Sequence, residues 1–242
     1  MSIEFKDVRK AFSEKAVLDG VSFTVKSREI LFILGKSGVG KSVTLKHVVG
    51  LLKPDAGEVH VDGVRVSSSD ETVLAAVRRV CGMVFQHPAL LDSLTVFENV
   101  AFGLRGTDIG PARIHERVIE CLRLVHLDAS ILERKPIEIS YGMQKRVSIA
   151  RTLAPSPRYL LFDEPTTGLD PITTNAVNDL IHELSRSLGV TSVVVSHDMG
   201  SALRIADRIL VLDEGTILAL GDRREIRESH VPLIREFLSE VD

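Results

Sequence analysis

The chain has few of the features that would tie it to a membrane, an oxidising compartment or a nucleic acid. Its apolar runs, such as residues 30–34 and 193–195, fall far short of the roughly 18 residues that a membrane-spanning helix needs. If the protein works at a membrane, other chains are expected to cross it. Residues 1–10 carry Glu4 and Asp7 among their apolar positions, so no uninterrupted signal-peptide stretch is read there. Only two cysteines occur, Cys81 and Cys121, both in apolar contexts and without His or Cys at metal-ligand spacing, so buried free thiols are expected. A net charge of −3 gives no global basic field for nucleic acid or anionic lipid. There is no internal repeat and no low-complexity linker.

What is present is a core-forming composition: 242 residues, 44% of them hydrophobic, ample for one large domain. The first third reads as short strands at 3–8, 21–25, 30–34 and 58–61, with Asp19, Gly20, Pro54 and Gly57 as turn residues between them. From 95 to about 154 the pattern is helical. Pro111 with Ile114, Val118, Ile119, Leu122 and Val125 marks a helix start and its apolar stripe. Beyond that insert come a strand at 159–162, a helix from about 172 to 188, and strands at 192–195 and 209–212. That alternation predicts a parallel sheet flanked by helices, an α/β fold.

Residues 35–42, Gly35-Lys36-Ser37-Gly38-Val39-Gly40-Lys41-Ser42, follow a buried strand and open a helix near Lys41. This is the context a phosphate-binding P-loop requires. Glycines let the backbone curl so that successive amides point at phosphate oxygens, and the helix N-terminus adds partial positive charge. Lys41 is the candidate for the β- and γ-phosphates, and the Ser42 hydroxyl for Mg²⁺. An Asn-Lys-x-Asp motif for guanine fails, because its nearest match, Leu52-Lys53-Pro54-Asp55, has leucine where asparagine is needed.

The strand at 159–162 runs into Asp163-Glu164, so two carboxylates emerge where ligands of such sheets bind. Asp163 suits Mg²⁺ held through water, and Glu164 suits a general base toward an attacking water. His197 follows the strand at 193–195 at the same edge, 33 residues beyond Glu164. Gln86 ends the strand at 80–85 where the helical insert begins, with an amide oxygen able to reach Mg²⁺ or that water.

Together these residues resemble the ABC ATPase family over nearly the whole chain. Residues 35–42 are similar to its Walker A motif and Val43 follows it, Gln86 to its Q-loop, residues 159–164 to its Walker B motif, Thr167-Gly168-Leu169-Asp170 to its D-loop and His197 to its switch histidine. Phe12, 29 residues before Lys41, stands where the family places an aromatic on adenine. The family signature aligns with Ile139-Ser140-Tyr141-Gly142-Met143, with Tyr141 where a glycine is usual. The resemblance implies ATP and Mg²⁺ as ligands, with Ser140 and Gly142 serving the γ-phosphate held by a second copy. If the first signature glycine needs a positive φ, tyrosine there costs about 1 to 2 kcal/mol.

The implied architecture is a single cassette over 1–242. It has a P-loop core with an antiparallel β lobe (1–88 and 156–220), a helical subdomain (89–155) and a C-terminal helical tail (221–242). The tail's Val231, Leu233, Ile234, Phe237 and Leu238 could cover this chain or dock a partner. Residues 40–47, 142–147, 163–175 and 225–238 further resemble the ATPases of Mla/Mce-type lipid transporters. That finer resemblance implies a homodimer on the cytoplasmic face of the inner membrane, a permease and an MCE lipid-binding protein, and no nucleic acid. The alternative is the ATPase of an importer for a small polar solute. A nucleotide-gated module without transport would resemble two fused cassettes or carry a long coiled-coil insert, and a non-hydrolysing subunit would lack Glu164 or His197.

Overall fold

The computed structural model describes residues 2–13, 15–68 and 70–241. Met1 and Asp242, the ends of the expected 1–242 cassette, lie outside them. Two sheets carry the chain. The smaller holds β1 (Ile3–Phe12), β2 (Lys15–Val25), β4 (Ala56–Val61) and β5 (Val64–Arg65), antiparallel in the order β2-β1-β4-β5. The larger holds β3 (Ile30–Leu34), β6 (Cys81–Val84), β7 (Tyr159–Asp163), β8 (Thr191–Ser196), β9 (Arg208–Asp213) and β10 (Thr216–Asp222), in the order β10-β9-β3-β8-β7-β6. All its pairings are parallel except the edge pair β10–β9.

Uninterrupted apolar strands place a core on each face of this sheet, because alternate side chains point opposite ways. Ile30, Phe32 and Leu34 join Leu160, Phe162 and Val194 in one buried cluster, toward the helical insert. Leu31 and Ile33 join Leu161, Val193 and Val195 in the other, with Phe5, Val8 and Val59 of the β lobe. The helices are α1 (Lys41–Val48), α2 (Glu71–Val80), α3 (Val96–Phe102), α4 (Pro111–Leu124), α5 (Tyr141–Leu153), α6 (Pro171–Ser187), α7 (Met199–Ile205), α8 (Arg223–Arg227) and α9 (Pro232–Ser239). The insert consists of α3, α4 and α5, between β6 and β7. Its start is set by a reciprocal cap, in which Thr95 Oγ1 accepts from Glu98 N and Glu98 returns to Thr95 N. The parallel sheet, the β lobe and the helical insert follow the sequence reading.

Several boundaries differ. Asp19 and Gly20, expected as a turn, lie inside β2, and Gly57 lies inside β4. Register shifts in the β1–β2 and β1–β4 pairings and positive φ at Gly20 and Gly57 absorb them as bulges rather than chain reversals. The strand expected at 80–85 is shorter, since Val80 ends α2. Helices α2 and α7 went unread; each is nucleated by a side-chain cap, Asp70 accepting from Val73 N and Asp198 from Ser201 N. β10 also went unread, and its last residues, Gly221 and Asp222, fall in the span expected to begin the tail.

Beyond β10, Ile226, Ile234, Phe237 and Leu238 are buried in the larger cluster, and Val231 and Leu233 pack half-buried against it. The tail's apolar side therefore covers this chain. Both cysteines are free and buried, as expected. Burial pushes the Cys81 thiol up to about 12 and the Cys121 thiol up to about 11, so neither is poised as a thiolate.

Among the polar contacts that tie the β lobe to the parallel sheet, those at Asp62 meet the start of β7. Tyr159, 1% exposed at the start of β7, donates to Asp62 Oδ1 at 2.5 Å in the β4–β5 turn, while Arg158 Nη2 lies 2.8 Å from Asp62 Oδ2. Removing the hydroxyl leaves a carboxylate oxygen of the half-buried Asp62 without that donor. Tyr159→Phe is expected to lower the free energy of unfolding by about 1–3 kcal/mol. Guanidinium denaturation of parent and variant measures this, and equal midpoints would reject the tie.

Candidate functional site

The loop after β3 is shaped by close approaches. Gly40, the N-cap of α1, has φ 106° and no side-chain cap. A Cβ there would meet the Val17 carbonyl oxygen at 2.7 Å, so only glycine fits between loop and β2. The first amides of α1 are left for an anion, with the helix dipole behind them. Lys41 is 5% exposed. Its ammonium donates to the carbonyls of Gly35 at 2.7 Å and Lys36 at 3.1 Å, and lies 3.3 Å from Glu164 Oε1.

The sheet register assembles the acids beside it. Asp163 pairs with Val195 across β7 and β8, so the two strands end level. Asp163, 9% exposed, accepts from Ser42 Oγ at 2.6 Å. Glu164 has φ 48°, uncommon for a side chain with a Cβ, and its N–H donates to Val195 O at 3.0 Å. That kink turns Glu164 away from Asp163 and toward His197. His197 Nδ1 lies 2.9 Å from Glu164 Oε2, and Thr167 Oγ1 donates to the same oxygen at 3.2 Å. The Glu164 side chain is only 13% exposed, whereas that of His197 is 61% exposed.

Lys41, Ser42, Glu164, Thr167 and His197 border a cavity of about 710 Å³, while Asp163 is not on its wall and meets it through Ser42. Phe12, Lys36, Ser37, Gly38, Gly40, Lys41, Ser42, Val43, Gln86, Glu164 and His197, all expected from sequence, line it. Gly35 and Val39 are not on its wall but support the loop, since a Cβ on Gly35 would meet Leu212 O at 2.4 Å and Val39 Cγ2 at 2.7 Å. Phe12 ends β1 half-exposed, with the Lys10 ammonium 5.5 Å from its ring centroid. Ser140 and Gly142 are not brought to this cavity. They open α5, where Ser140 Oγ accepts from Met143 N at 3.3 Å. Tyr141 is the first helical residue and is not among the residues of positive φ, so the backbone cost considered above does not arise.

The sequence reading missed other wall residues. Val17 and Thr167 are there, as are Glu236, Phe237 and Glu240 from the tail. Glu236 pairs with Lys36 at 2.9 Å across 200 residues of chain, a contact no local pattern signals. Thr167 had a signal, three residues after Glu164 on the same turn.

The donor set also fits a divalent cation of the hard kind. Ser42 Oγ and Asp163 Oδ1 share one hydrogen bond, an oxygen pair of the sort Mg²⁺ takes while keeping water and phosphate oxygens as its other ligands. Among the described residues no cluster of three or more His, Cys, Asp or Glu competes as an all-protein cage.

Comparison with known proteins agrees with this geometry. The family model described as "ABC transporter" matches residues 18–167, and the chain belongs to that family. Methionine import ATP-binding protein MetN of Brucella abortus is 44% identical over 219 residues, 90% of this chain and 59% of that protein. Spermidine/putrescine import ATP-binding protein PotA of Mannheimia succiniciproducens is 37% identical over 241 residues, 99% of this chain and 63% of that protein. The chain thus spans about six-tenths of the length of these curated relatives. The ATP-binding cassette MJ0796, solved as a dimer in a post-hydrolysis state with ADP and Pi, superposes with a TM-score of 0.82 at 35% identity, covering 92% of this chain and 99% of that one. The fold is that of an ABC-type P-loop cassette.

Because a Cβ at position 40 must displace Val17 or the loop, Gly40→Ala is expected to weaken nucleotide binding at least about tenfold. Titration with a fluorescent ATP analogue reads this. Unchanged affinity would show that the loop is not held by the Val17 contact.

Proposed function

We propose that this chain hydrolyses ATP as the motor subunit of an ABC transporter, pairing with a second copy beneath membrane subunits on the cytoplasmic face. The observation that carries the reading is the setting of Glu164, held between Lys41, Thr167 and His197 and next to the Ser42–Asp163 pair. Lys41 and the amides at the start of α1 bind the β- and γ-phosphates, and Phe12 stacks on the base. Ser42 and Asp163 hold Mg²⁺, with Gln86 at the rim. When bound, the metal offsets charge developing on the transferred phosphoryl group. Glu164 orients the attacking water and accepts its proton, while His197 fixes the Glu164 carboxylate. Ser140 and Gly142, remote from the cavity of their own chain, serve the cavity of the second copy, so each working site is shared.

For the cargo, the importer reading is favoured over lipid transport. Its support is the pair of relatives named as importers of methionine and of spermidine or putrescine, which match nine-tenths or more of this chain. A sulfate/thiosulfate import ATP-binding protein, CysA, of Bradyrhizobium diazoefficiens is 41% identical over 233 residues. The chain would then serve a permease and a solute-binding protein for a small polar solute. The resemblance of residues 40–47, 142–147, 163–175 and 225–238 to Mla/Mce-type ATPases keeps lipid cargo, with an MCE subunit, as the second reading. No helix among the described residues is long and apolar enough to cross a membrane, so in either case other subunits form the passage.

Steady-state hydrolysis separates the roles. Glu164→Gln is expected to lower kcat at least about a hundredfold while ATP binding persists, and equal rates in parent and variant would refute Glu164 as the base. Native co-purification decides the cargo: a soluble solute-binding protein supports import, and recovery of an MCE subunit instead overturns it.

A further inference from the structure

Two basic side chains of α5 end on the backbone carbonyls of the segment that carries Gln86. Lys145 is 1% exposed, and its ammonium donates to the Gln86 carbonyl oxygen. Arg151 of the same helix donates to Ala89 O at 2.8 Å and Pro88 O at 3.2 Å. No carboxylate pairs with Lys145 among the described residues, and burial pulls its pKa below that of an ordinary lysine. A lysine in such a place is costly to the fold, and a residue of similar volume without charge would serve packing better. Its position is explained by what it holds.

The other neighbour of this ammonium is Tyr141, four residues earlier on the same helix face. The Lys145 nitrogen lies 5.5 Å from the centroid of the Tyr141 ring, within cation–π range. The Tyr141 hydroxyl lies 3.5 Å from His87 Nδ1. Position 141 therefore faces the segment after β6 rather than only the second copy. A glycine there could offer neither the ring nor the hydroxyl.

We propose that Lys145 is a positioning residue for Gln86, with Tyr141 covering its ammonium, so that the Gln86 segment is fastened to the helix opened by Ser140. This rests on the reading of the cavity as an ATP site. The carbonyl of Gln86 is fixed to α5 while its side chain reaches the cavity wall. Any displacement of α5 then carries the amide of Gln86 toward or away from the Ser42–Asp163 pair. The departure from the family signature at Tyr141 belongs to this fastening.

Hydrogen-exchange mass spectrometry on the nucleotide-free chain tests the contact without reference to turnover. In Lys145→Met the amides of residues 86, 87, 89 and 90 are expected to exchange about tenfold faster, with the middle of α5 unchanged. Kinetics then test the consequence: Lys145→Met is expected to lower kcat about tenfold with KM for ATP nearly constant. Lys145→Arg, which keeps a donor, restores most of the rate. In a Gln86→Ala background Lys145→Met should add little, because the lysine acts through Gln86. Unaltered exchange at 86–90, or a kcat loss just as large in the Gln86→Ala background, overturns the proposal. A parent chain that fails to hydrolyse ATP sinks the proposed function instead, and the exchange comparison still decides the contact.

Discussion

The site is organised around one buried cation. The ammonium of Lys41 sits 5% exposed at the first turn of α1, where an unpaired charge would be costly. Three oxygens answer it, the carbonyls of Gly35 and Lys36 and a carboxylate oxygen of Glu164. To present those two carbonyls inward the loop must double back over the side chain, and that is possible only because Gly35 and Gly40 let β9 and β2 approach its backbone. The same curl points the amides of α1 the other way, toward the cavity. Cation, loop shape and anion site are one constraint seen from three sides.

The large parallel sheet is what brings the other partners to that cation. β7 and β8 end level, so Asp163, Glu164 and His197 come from adjacent strand ends rather than from a long loop. Strand ends buried on both faces cannot shift without disturbing two cores at once, which gives the acids a rigid base. What lets neighbouring residues do different work is the left-handed turn at Glu164. With φ at 48° the two carboxyls diverge, one to Ser42 and one to His197. Such a backbone state is strained for a residue with a Cβ, and strain of that kind persists where surrounding contacts over-determine it.

Most of this was legible in the residues. An apolar run followed by a glycine-rich loop ending in Gly40-Lys41-Ser42, and an apolar run ending in Asp163-Glu164, each carry strand, loop and chemistry in one stretch. What could not be read came from contacts distant in sequence or from bulges. Asp19-Gly20 has the composition of a turn, but Asp19 N donates to Gly215 O at 2.8 Å in the loop after β9, and the strand continues through it. Helices α2 and α7 are short, and their identity rests on one capping aspartate each. Nothing local in the sequence says that Lys145 ends on Gln86. The cargo is illegible for a different reason: under the proposed function the cassette binds only the fuel, and the passage belongs to other chains.

The tail shows how such distant contacts divide between holding and tuning. The Lys36–Glu236 pair crosses the mouth of the cavity, yet both side chains are more than half exposed. Exposed pairs of that kind are screened by water and salt and contribute too little to hold α9 in place. Burial of Ile234, Phe237 and Leu238 in the larger core is the stronger effect, at about 1.5–3 kcal/mol for each such side chain. The helix is therefore positioned by apolar packing, and its charges face the rim as a result. Glu236 and Glu240 then place negative charge on the cavity wall, and Lys36 screens one of them. Charge at the cavity entrance is set by residues near 240, while the P-loop lies near 40, so packing of the tail in the larger core reaches the cavity from far along the chain.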